Sequence, residues 1–265
     1  MNKRYLLKEG FVSFNLKDFD ERIYNELLNT IPTDSNLLYN NIDSFLFCGH
    51  LNTTVRDFFK QMESDYKDLL GLDYEYKNQR NRAIDKTKDA GFDPDFLSAF
   101  IPSSSIDKIK SIKDVIFNKF MIAQNQSWFQ GHLEYEQEIA IRNIQKKILK
   151  YFYNGRFDDV DLYFPPKQEC QISLTSFSKG SLITDHADGA NPRRLAAILI
   201  YLNKDWDIKN GGNLIVRKNE KETLVPAEYG QVVILDFTEN NVHHEVTPVM
   251  GDRDRWAVLS FIERP

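Results

Sequence analysis

The sequence predicts a mainly β protein with some helix, in which N-terminal helices pack on one sheet of a β-sandwich or barrel. Two observations support this prediction: apolar residues recur at helical spacing in the first part of the chain, and short β-rich segments separated by turn residues follow from about Cys170 onward. No internal repeat and no flexible linker divide the sequence. We therefore expect one domain over residues 1–265, with mainly helical support over 1–165 and the sheet core over 166–265.

The first part of the chain opens with one strand and one helix. Residues 10–15 alternate apolar and polar side chains, which predicts a strand, and the apolar positions of residues 18–31 fall at helical spacing. Two further helices are predicted over residues 106–122 and from about Leu133 to Tyr153. Between these elements, residues 32–105 mix short helical patterns with polar loops and indicate no function.

The second part of the chain has the rhythm of short strands. Turn signals separate its β-rich segments, among them Asn191-Pro192, Gly211-Gly212 and Gly230. This rhythm is typical of a sandwich or barrel. The predicted strands cover residues 171–177, 195–202, 213–216, 232–237, 242–246 and 256–262.

Composition narrows the class of protein. Apolar residues make up 42% and charged residues 28%, with 19 Phe and 12 Tyr, as in a folded, aromatic-rich protein. The net charge of −5 attracts neither phosphate backbones nor anionic lipid, so we expect no nucleic-acid partner. No stretch approaches the roughly 20 apolar residues of a membrane helix, and residues 1–10 lack a secretory signal, so we expect a cytoplasmic protein without a membrane partner. Cys48 and Cys170 stand far apart and are expected to be reduced and structural.

Candidate metal ligands occur at two points of the β-rich part. His186 and Asp188 flank Ala187, and residues two apart on an extended segment project from the same face. A lone His-x-Asp triplet is often a surface feature, so it needs a further ligand to indicate a metal site. Two of the five histidines, His243 and His244, stand together on a later β-rich segment that is suited to supply it.

The chemistry of this ligand set favours iron without fixing it. Two histidines and one carboxylate on one side of a metal leave open positions, which suits Fe(II) for binding a co-substrate and oxygen. Zinc and manganese accept the same ligands. Arg255 opens the last predicted strand, where its guanidinium is suited to a carboxylate, and this indicates an acidic co-substrate. The alternative of another class is a non-catalytic β-sandwich that binds a metal or small ligand as a sensor.

Several ordered motifs lie between His186 and Val258. They are His186-Ala-Asp188, Ile200-Tyr-Leu-Asn-Lys-Asp-Trp-Asp207, Gly211-Gly212-Asn-Leu-Ile-Val216, Pro226 with Gly230, His244-Glu-Val-Thr-Pro-Val249 and Arg255-Trp-Ala-Val258. In these motifs the chain resembles the Fe(II)/2-oxoglutarate dioxygenases, and within them the prolyl 4-hydroxylase-like branch. The opening Glu9-Gly-Phe-Val run followed by a helix is also similar to the start of this family, whereas residues 32–165 match no part of it.

The resemblance implies a fold, cofactors and site residues. The fold is a double-stranded β-helix, the cupin-like jelly roll, formed mainly by residues 166–265 and joined by the N-terminal strand. His186, Asp188 and His244 would be the catalytic iron ligands, while Arg255 and Tyr201 would bind the distal carboxylate of 2-oxoglutarate. The implied cofactors are Fe(II), 2-oxoglutarate as co-substrate and O2.

Two assignments carry an alternative. Arg253 competes with Arg255 as the 2-oxoglutarate anchor because it lies nearer the family's usual spacing from the distal histidine. We favour Arg255 because Arg-Trp-Ala-Val begins the strand as it does in the family. Tyr201 is alternatively a core aromatic whose hydroxyl is satisfied within the protein.

The chain departs from the family at two positions. Ser176-Phe177 stands where the family often has a tyrosine that bonds the co-substrate, and Leu259 replaces a hydroxyl on the face shared with Arg255. We expect the co-substrate to be held by fewer hydrogen bonds or by groups from elsewhere in the chain. The carboxylate at Asp188 follows the family's hydroxylases, because related halogenases vacate that position, so hydroxylation is favoured over halogenation.

The substrate is predicted only by class. Arg193 and Arg194 follow the metal strand in a loop at the expected mouth of the barrel, where they suit an acidic substrate, with a solvated loop as the alternative. Trp206 either lines the same rim or caps a core. We expect hydroxylation of an unactivated C–H bond of a small molecule such as an amino acid or metabolite, with release of succinate and CO2. Hydroxylation of a prolyl or other side chain in a protein or peptide is the alternative, and no oligomeric state is predicted.

Overall fold

The structure is a computed structural model that describes residues 10–31, 42–50, 96–102, 127–133, 135–153, 172–188, 194–218, 220–237 and 242–263. Within these ranges the α-helices are α1 (Leu16–Phe19), α2 (Glu21–Thr30) and α3 (Tyr135–Tyr153). The strands are β1 (Phe11–Asn15), β2 (Ile42–His50), β3 (Phe96–Pro102), β4 (Ser127–Leu133), β5 (Ile172–Phe177), β6 (Ile183–His186), β7 (Arg194–Tyr201), β8 (Leu214–Lys218), β9 (Lys221–Val225), β10 (Gln231–Asp236), β11 (His243–Val246) and β12 (Arg255–Glu263).

The described strands form two antiparallel sheets. The larger sheet has eight strands in the order β1-β10-β7-β12-β5-β4-β2-β3, and the smaller sheet has four in the order β6-β11-β8-β9. From β5 onward the chain passes repeatedly between the sheets, since β5, β7, β10 and β12 lie in the larger one and β6, β8, β9 and β11 in the smaller one. This winding is the double-stranded β-helix that the sequence predicts, and the predicted fold class is confirmed.

The core lies between the two sheets. Tyr201 and Val233 of the larger sheet pack in one buried cluster with Leu214, Val216 and Val246 of the smaller sheet. Side chains alternate across a strand, so Leu214 and Val216 of β8 are buried in the core while Ile215 and Arg217 face the other side and are partly exposed. Removing these apolar side chains from water contributes about 1.5–3 kcal/mol for each of the larger ones. The buried faces therefore fix which residues of each strand point to the inside.

Helices cover the opposite face of the larger sheet, as the sequence predicts. The ring of Phe14 on β1 lies 5.3 Å from that of Phe152 on α3, measured between centroids. On β12, Ala257 faces the inter-sheet core, whereas Ser260 faces α3, and its Oγ accepts a hydrogen bond of 2.7 Å from Gln145 Nε2. Among the helices that the structure describes, none has the length and apolar content needed to cross a membrane.

The helices form because their apolar residues recur on one side. In α2, Ile23 and Leu27 are buried and lie four residues apart, one helical turn. The helix begins after Asp20, whose side chain accepts a hydrogen bond of 2.9 Å from the backbone N–H of Arg22, a typical N-cap. In α3, the buried residues at helical spacing are Ile141, Ile144, Ile148 and Phe152. These stripes attach both helices to the sheet.

The N-terminal part contains more strand than the sequence predicts. We expected one strand near residues 10–15 within 1–165, and the structure adds β2, β3 and β4 to the larger sheet beyond β5. These segments were not predicted because polar residues flank them in the sequence and their partner strands are mostly distant in sequence: β4 pairs with β5, and β2 pairs with β4 and β3. Pairing with an existing sheet edge overrides weak local preference. The helix predicted over 106–122 lies outside the described residues.

Two strands of the smaller sheet were also missed. β6 has the sequence ITDH and β9 the sequence KETLV, and both lie at the edges of that sheet. An edge strand exposes its outer face to water, so it carries charged residues and lacks a clear apolar alternation. The remaining β segments of the second part agree with the prediction to within a few residues at each end.

Candidate metal and co-substrate site

Two histidines face each other across the smaller sheet. His186 ends β6 and His244 lies in β11, where their Cα atoms are register partners and their rings are 4.3 Å apart between centroids. Nδ1 of His186 donates a hydrogen bond of 2.8 Å to the carbonyl oxygen of Thr184, and Nδ1 of His244 lies 3.4 Å from that of Val242. A carbonyl oxygen only accepts, so the Nδ1 hydrogen bonds leave the Nε2 atoms to act as ligands.

A carboxylate completes the group. Asp188 lies just beyond the end of β6, and its Oδ2 is 3.5 Å from His244 Nε2. One candidate ligand atom from each of His186, Asp188 and His244 lies within 4.8 Å of the others, and within the described ranges no other three His, Cys, Asp or Glu side chains come together in this way. Two nitrogen donors and one oxygen donor at this spacing fit a single Fe(II) ion and leave coordination positions open.

The electrostatics of the group favour the ligand forms of these side chains. Burial lowers the pKa of His186 below its ordinary value, and the neighbouring His244 lowers it further, so the imidazole is neutral at neutral pH. Burial alone would raise the pKa of Asp188, but the contact with His244 and the positive charge of Arg194 outweigh it and hold that pKa below its ordinary value. The site therefore offers neutral imidazole and charged carboxylate.

Arg194 supports the carboxylate from the larger sheet. It begins β7, and its Nη1 donates a hydrogen bond of 3.2 Å to Asp188 Oδ1, the oxygen that does not face His244. Its guanidinium also lies over the ring of Phe261, 3.7 Å from the centroid. The sequence singled out Arg194 as a substrate residue, but it gave no sign of this contact with Asp188, since the contact depends on the path of the chain between β6 and β7.

Arg255 lies in the core with part of its guanidinium unpaired. Its side chain is 1% exposed, and its Cζ lies 4.7 Å from the ring centroid of Phe177 and 4.6 Å from that of Tyr201. Nε donates a hydrogen bond of 3.1 Å to the carbonyl oxygen of Gly212. The Tyr201 hydroxyl lies beside the guanidinium, and among the described residues neither this hydroxyl nor Arg255 Nη2 makes a well-formed hydrogen bond. The guanidinium of Arg255 and the hydroxyl of Tyr201 could therefore bind the same ligand.

The positive charge of Arg255 indicates which kind of ligand would bind to these two groups. Burial lowers the pKa of Arg255, while the adjacent Tyr201 acts in the opposite direction, and burial raises the pKa of Tyr201. A buried cation without a carboxylate partner is costly, and so is a buried hydroxyl that makes no hydrogen bond. A ligand carboxylate would satisfy both groups at once. The two residues therefore fit the distal carboxylate of 2-oxoglutarate.

Comparison with known proteins bears on the same part of the chain. Residues 171–263 match the family model described as the 2OG-Fe(II) oxygenase superfamily. These residues belong to that superfamily. The resemblance inferred from the motifs is thereby confirmed, the chain is an oxygenase, and its cofactors are Fe(II), 2-oxoglutarate and O2. No curated protein sequence matches the chain.

Two solved structures align with this oxygenase. A prolyl hydroxylase from Trichoplax adhaerens, in complex with a hypoxia inducible factor oxygen degradation domain peptide fragment, aligns with 98% of this chain and 86% of its own, at 14% identity and a TM-score of 0.52. A prolyl-4-hydroxylase from Pseudomonas putida aligns with 60% of this chain and 82% of its own, at 19% identity and a TM-score of 0.41. At such identities the likeness to the first structure shows a common fold and no more.

The other predicted site residues of the oxygenase have distinct surroundings. Arg253 is exposed, and its Nη2 donates to the carbonyl oxygens of Lys204 and Asp205, so it does not enter the pocket of Arg255. Trp206 does not line the rim: its ring is 7% exposed in the core cluster, and its Nε1 donates to the carbonyl oxygen of Gly211. A large apolar ring with a satisfied N–H is more stable there than at a wet rim. Arg193 lies outside the described residues.

The departures from the family pattern also have a place in the oxygenase structure. Phe177, which follows the position of the family's tyrosine, is the register partner of Arg255 and packs its ring against the guanidinium. Leu259 packs against the core cluster on the same side as Ala257. At both positions this chain thus has an apolar side chain packed in or against the core where the family has a hydroxyl. The role of Phe177 was missed, although its position opposite Arg255 follows from pairing the two predicted strands.

The absence of a side chain at Gly212 leaves space for the side chain of Arg255, and the variant G212A tests this. The φ of Gly212 is +65°, in the left-handed region that favours glycine, and a Cβ there would lie 3.1 Å from both Arg255 Cγ and Val249 Cγ2. We expect G212A to lower the free energy of unfolding by roughly 1–3 kcal/mol and to weaken 2-oxoglutarate binding, because the backbone is strained and the guanidinium is displaced. Urea denaturation and equilibrium titration of the co-substrate measure the two effects.

A matched control is G251A. A Cβ at Gly251 would also have contacts at 3.1 Å, but they are with the side chain of Asn210 and not with Arg255. We expect G251A to leave 2-oxoglutarate affinity unchanged. Equal effects of the two variants on co-substrate binding would contradict a specific role of Gly212 beside Arg255.

Proposed function

We propose that this oxygenase hydroxylates an unactivated C–H bond of a small molecule such as an amino acid or metabolite. One oxygen atom of O2 enters the substrate as hydroxyl, and the other enters succinate as 2-oxoglutarate loses CO2. The observation that supports this proposal most directly is the combination of the His186, Asp188 and His244 group with the buried, incompletely paired Arg255 and Tyr201. A module that only binds a metal does not require a buried guanidinium, such as that of Arg255, without an anionic partner.

Each residue of the site has a role in the proposed reaction. When bound, Fe(II) with 2-oxoglutarate activates O2 and so supplies the oxidant for the C–H bond. His186 and His244 would hold the metal through Nε2, and Asp188 would hold it through Oδ2. Arg255 and Tyr201 would orient the co-substrate through its distal carboxylate. Phe177 and the apolar core around them exclude water from that pocket.

Arg194 supports a substrate with an acidic or carbonyl group. Its guanidinium lies within hydrogen-bond distance of Asp188, so it is close to the proposed metal position, and its side chain is 22% exposed. A cation that is partly accessible beside the reacting centre would orient a carboxylate or carbonyl oxygen of the substrate. This supports a free amino acid or an organic acid. We also propose the cytoplasmic location that the sequence predicts.

The second candidate is hydroxylation of a prolyl or other side chain in a peptide. The observation that favours it is the structural alignment over 98% of this chain with a prolyl hydroxylase whose structure includes a peptide. The carbonyl oxygen of a peptide bond is also a suitable partner for Arg194. The two candidates differ in whether the substrate extends along the protein surface on both sides of the hydroxylated carbon.

A single assay series separates these functions. Metal-free protein is titrated anaerobically with Fe(II) and 2-oxoglutarate, and the weak visible charge-transfer band of the chelated co-substrate is recorded. The loaded protein is then exposed to air with single amino acids, organic acids or proline-containing peptides, and succinate release and the gain of one oxygen atom by the substrate are measured. We expect hydroxylation of a free amino acid or organic acid that depends on 2-oxoglutarate.

The other outcomes contradict the proposal in distinct ways. Hydroxylation of peptides alone would establish the second candidate. Binding of both iron and 2-oxoglutarate without turnover of any substrate would favour a sensor. Good iron occupancy without the charge-transfer band would contradict the proposed 2-oxoglutarate site.

A further inference from the structure

An outward-facing arginine joins the strands of the smaller sheet. Arg217 on β8 uses each nitrogen of its guanidinium for a different acidic side chain. Nε donates to Glu222 on β9 at 2.6 Å, Nη1 donates to Asp185 on β6 at 3.0 Å, and Nη2 donates to Glu245 on β11 at 2.8 Å. His243 adds a contact of 3.0 Å between its Nδ1 and Asp185 Oδ2. We call these five residues the Arg217 cluster.

The Arg217 cluster lies directly behind the metal site. Asp185 immediately precedes His186, and Glu245 immediately follows His244. Successive side chains of a strand point to opposite faces, so the acidic residues face outward where the histidines face inward. A change in the position of either acidic residue therefore moves the backbone that carries a neighbouring histidine.

The strand that carries His186, β6, has few backbone contacts with the rest of the smaller sheet. In the described part of the sheet, β6 is an edge strand of four residues whose single neighbour is β11. The pairing includes only two Cα register partners, His186 with His244 and Ile183 with Val246, and the register shifts between them. An irregular pairing of this length fixes the distance between the two histidines poorly. The two strands need a further connection.

We propose that Arg217 is a positioning residue, which holds β6 and β11 in the register that brings His186 and His244 onto one metal ion. The inference rests on the proposed role of those histidines as iron ligands. Arg217 acts through Asp185 and Glu245 and touches neither metal nor substrate. Arginine suits this role because its planar guanidinium carries donors in several fixed directions, whereas the lysine ammonium is a compact charge on a flexible chain.

The Arg217 cluster contributes more to the relative position of the strands than to the free energy of unfolding. The side chain of Arg217 is 31% exposed, and those of Asp185 and Glu245 are 42% and 26% exposed, so water and salt screen each ion pair. Exposed ion pairs contribute little to the free energy of unfolding. Their combined effect on the relative position of two short strands is larger, because all three acidic residues are tied to one rigid group.

The test compares metal affinity with folding stability. Mn(II) is titrated anaerobically into metal-free wild type, R217A, R217K and E222Q, with the melting temperature of each metal-free protein measured in parallel. E222Q is the matched control, because Glu222 also pairs with Arg217 but lies on β9, which carries no ligand. We expect R217A to weaken Mn(II) binding about tenfold, the lower end of the range for loss of a group bonded directly to a metal ligand, because Arg217 acts on the ligands through their neighbours. E222Q should keep the wild-type affinity, and R217K should resemble R217A.

Each alternative result overturns the proposal. Wild-type affinity in R217A, or restoration of affinity in R217K, would mean that the three-way guanidinium contact does not position the ligands. Equal loss in R217A and E222Q would mean a general effect on the sheet. If R217A does not fold, D185N and E245Q each remove one arm of the cluster and should weaken binding in the same direction. H244A is included because wild-type affinity in that variant would refute the metal site itself, whatever Arg217 does.

Discussion

H244A should weaken Fe(II) binding by more than about 100-fold, since loss of a residue that merely supports a metal ligand already costs about 10- to 100-fold. His244 supplies one of the three proposed donor atoms, and its ring lies 4.3 Å from that of His186. Anaerobic titration of metal-free protein measures the affinity. The charge-transfer band with 2-oxoglutarate should disappear at Fe(II) concentrations that saturate the wild type.

The neighbouring histidine provides the control for H244A. His243 lies on the outer face with its side chain 48% exposed, and its contact is with Asp185 rather than with the site. We expect H243A to lower Fe(II) affinity by less than about tenfold, since it removes a group behind the ligands and no ligand. The thermal transition of both metal-free variants shows whether they are folded. Wild-type Fe(II) affinity in folded H244A would contradict the proposed ligand set.

R255M should change co-substrate binding and stability in opposite directions. Removing one partner of a buried charge pair costs about 2–4 kcal/mol, which corresponds to about 30- to 1,000-fold in 2-oxoglutarate affinity. In the protein without co-substrate, however, Arg255 is a buried cation with an unpaired Nη2. Replacing it by an apolar side chain of similar length should leave the melting temperature unchanged or raise it. A merely structural arginine would give the reverse pattern.

The rival arginine serves as the control for R255M. Arg253 is exposed, and its hydrogen bonds go to backbone carbonyl oxygens of Lys204 and Asp205. R253M should keep 2-oxoglutarate affinity within about twofold, because surface substitutions away from a site change free energies by at most about 0.5 kcal/mol. Loss of co-substrate binding in R253M together with normal binding in R255M would transfer the anchoring role to Arg253.

The sequence predicted those parts of the protein that depend on residue type and strand alternation. His186, Asp188 and His244 could be singled out because histidine and aspartate are residue types that bind metals and because alternate residues of a strand share a face. The core strands were located because their apolar runs end at glycine or proline turns. Arg255 was singled out because an arginine at the start of the last strand has a carboxylate as its natural partner.

The parts that the sequence did not predict depend on contacts between distant strands. The edge strands β6 and β9 are polar and gain their structure from a neighbour rather than from their own pattern. Trp206 could not be assigned to rim or core, because an indole ring suits both. The Arg217 cluster requires the register of four strands, which short polar segments do not reveal. The contact of Arg194 with Asp188 likewise depends on how two sheets face each other.

The order of the strands along the chain has a consequence for biosynthesis. His186 lies on β6 and His244 on β11, while Arg255 begins β12, so four sheet crossings separate the first proposed ligand from the last. Contacts between residues far apart in sequence form slowly, because loop closure must precede them. A nascent chain that has not yet released β11 and β12 from the ribosome has neither the iron site nor the co-substrate pocket. The proposed iron and co-substrate sites therefore form only after β11 and β12 have been synthesised and have paired with the earlier strands.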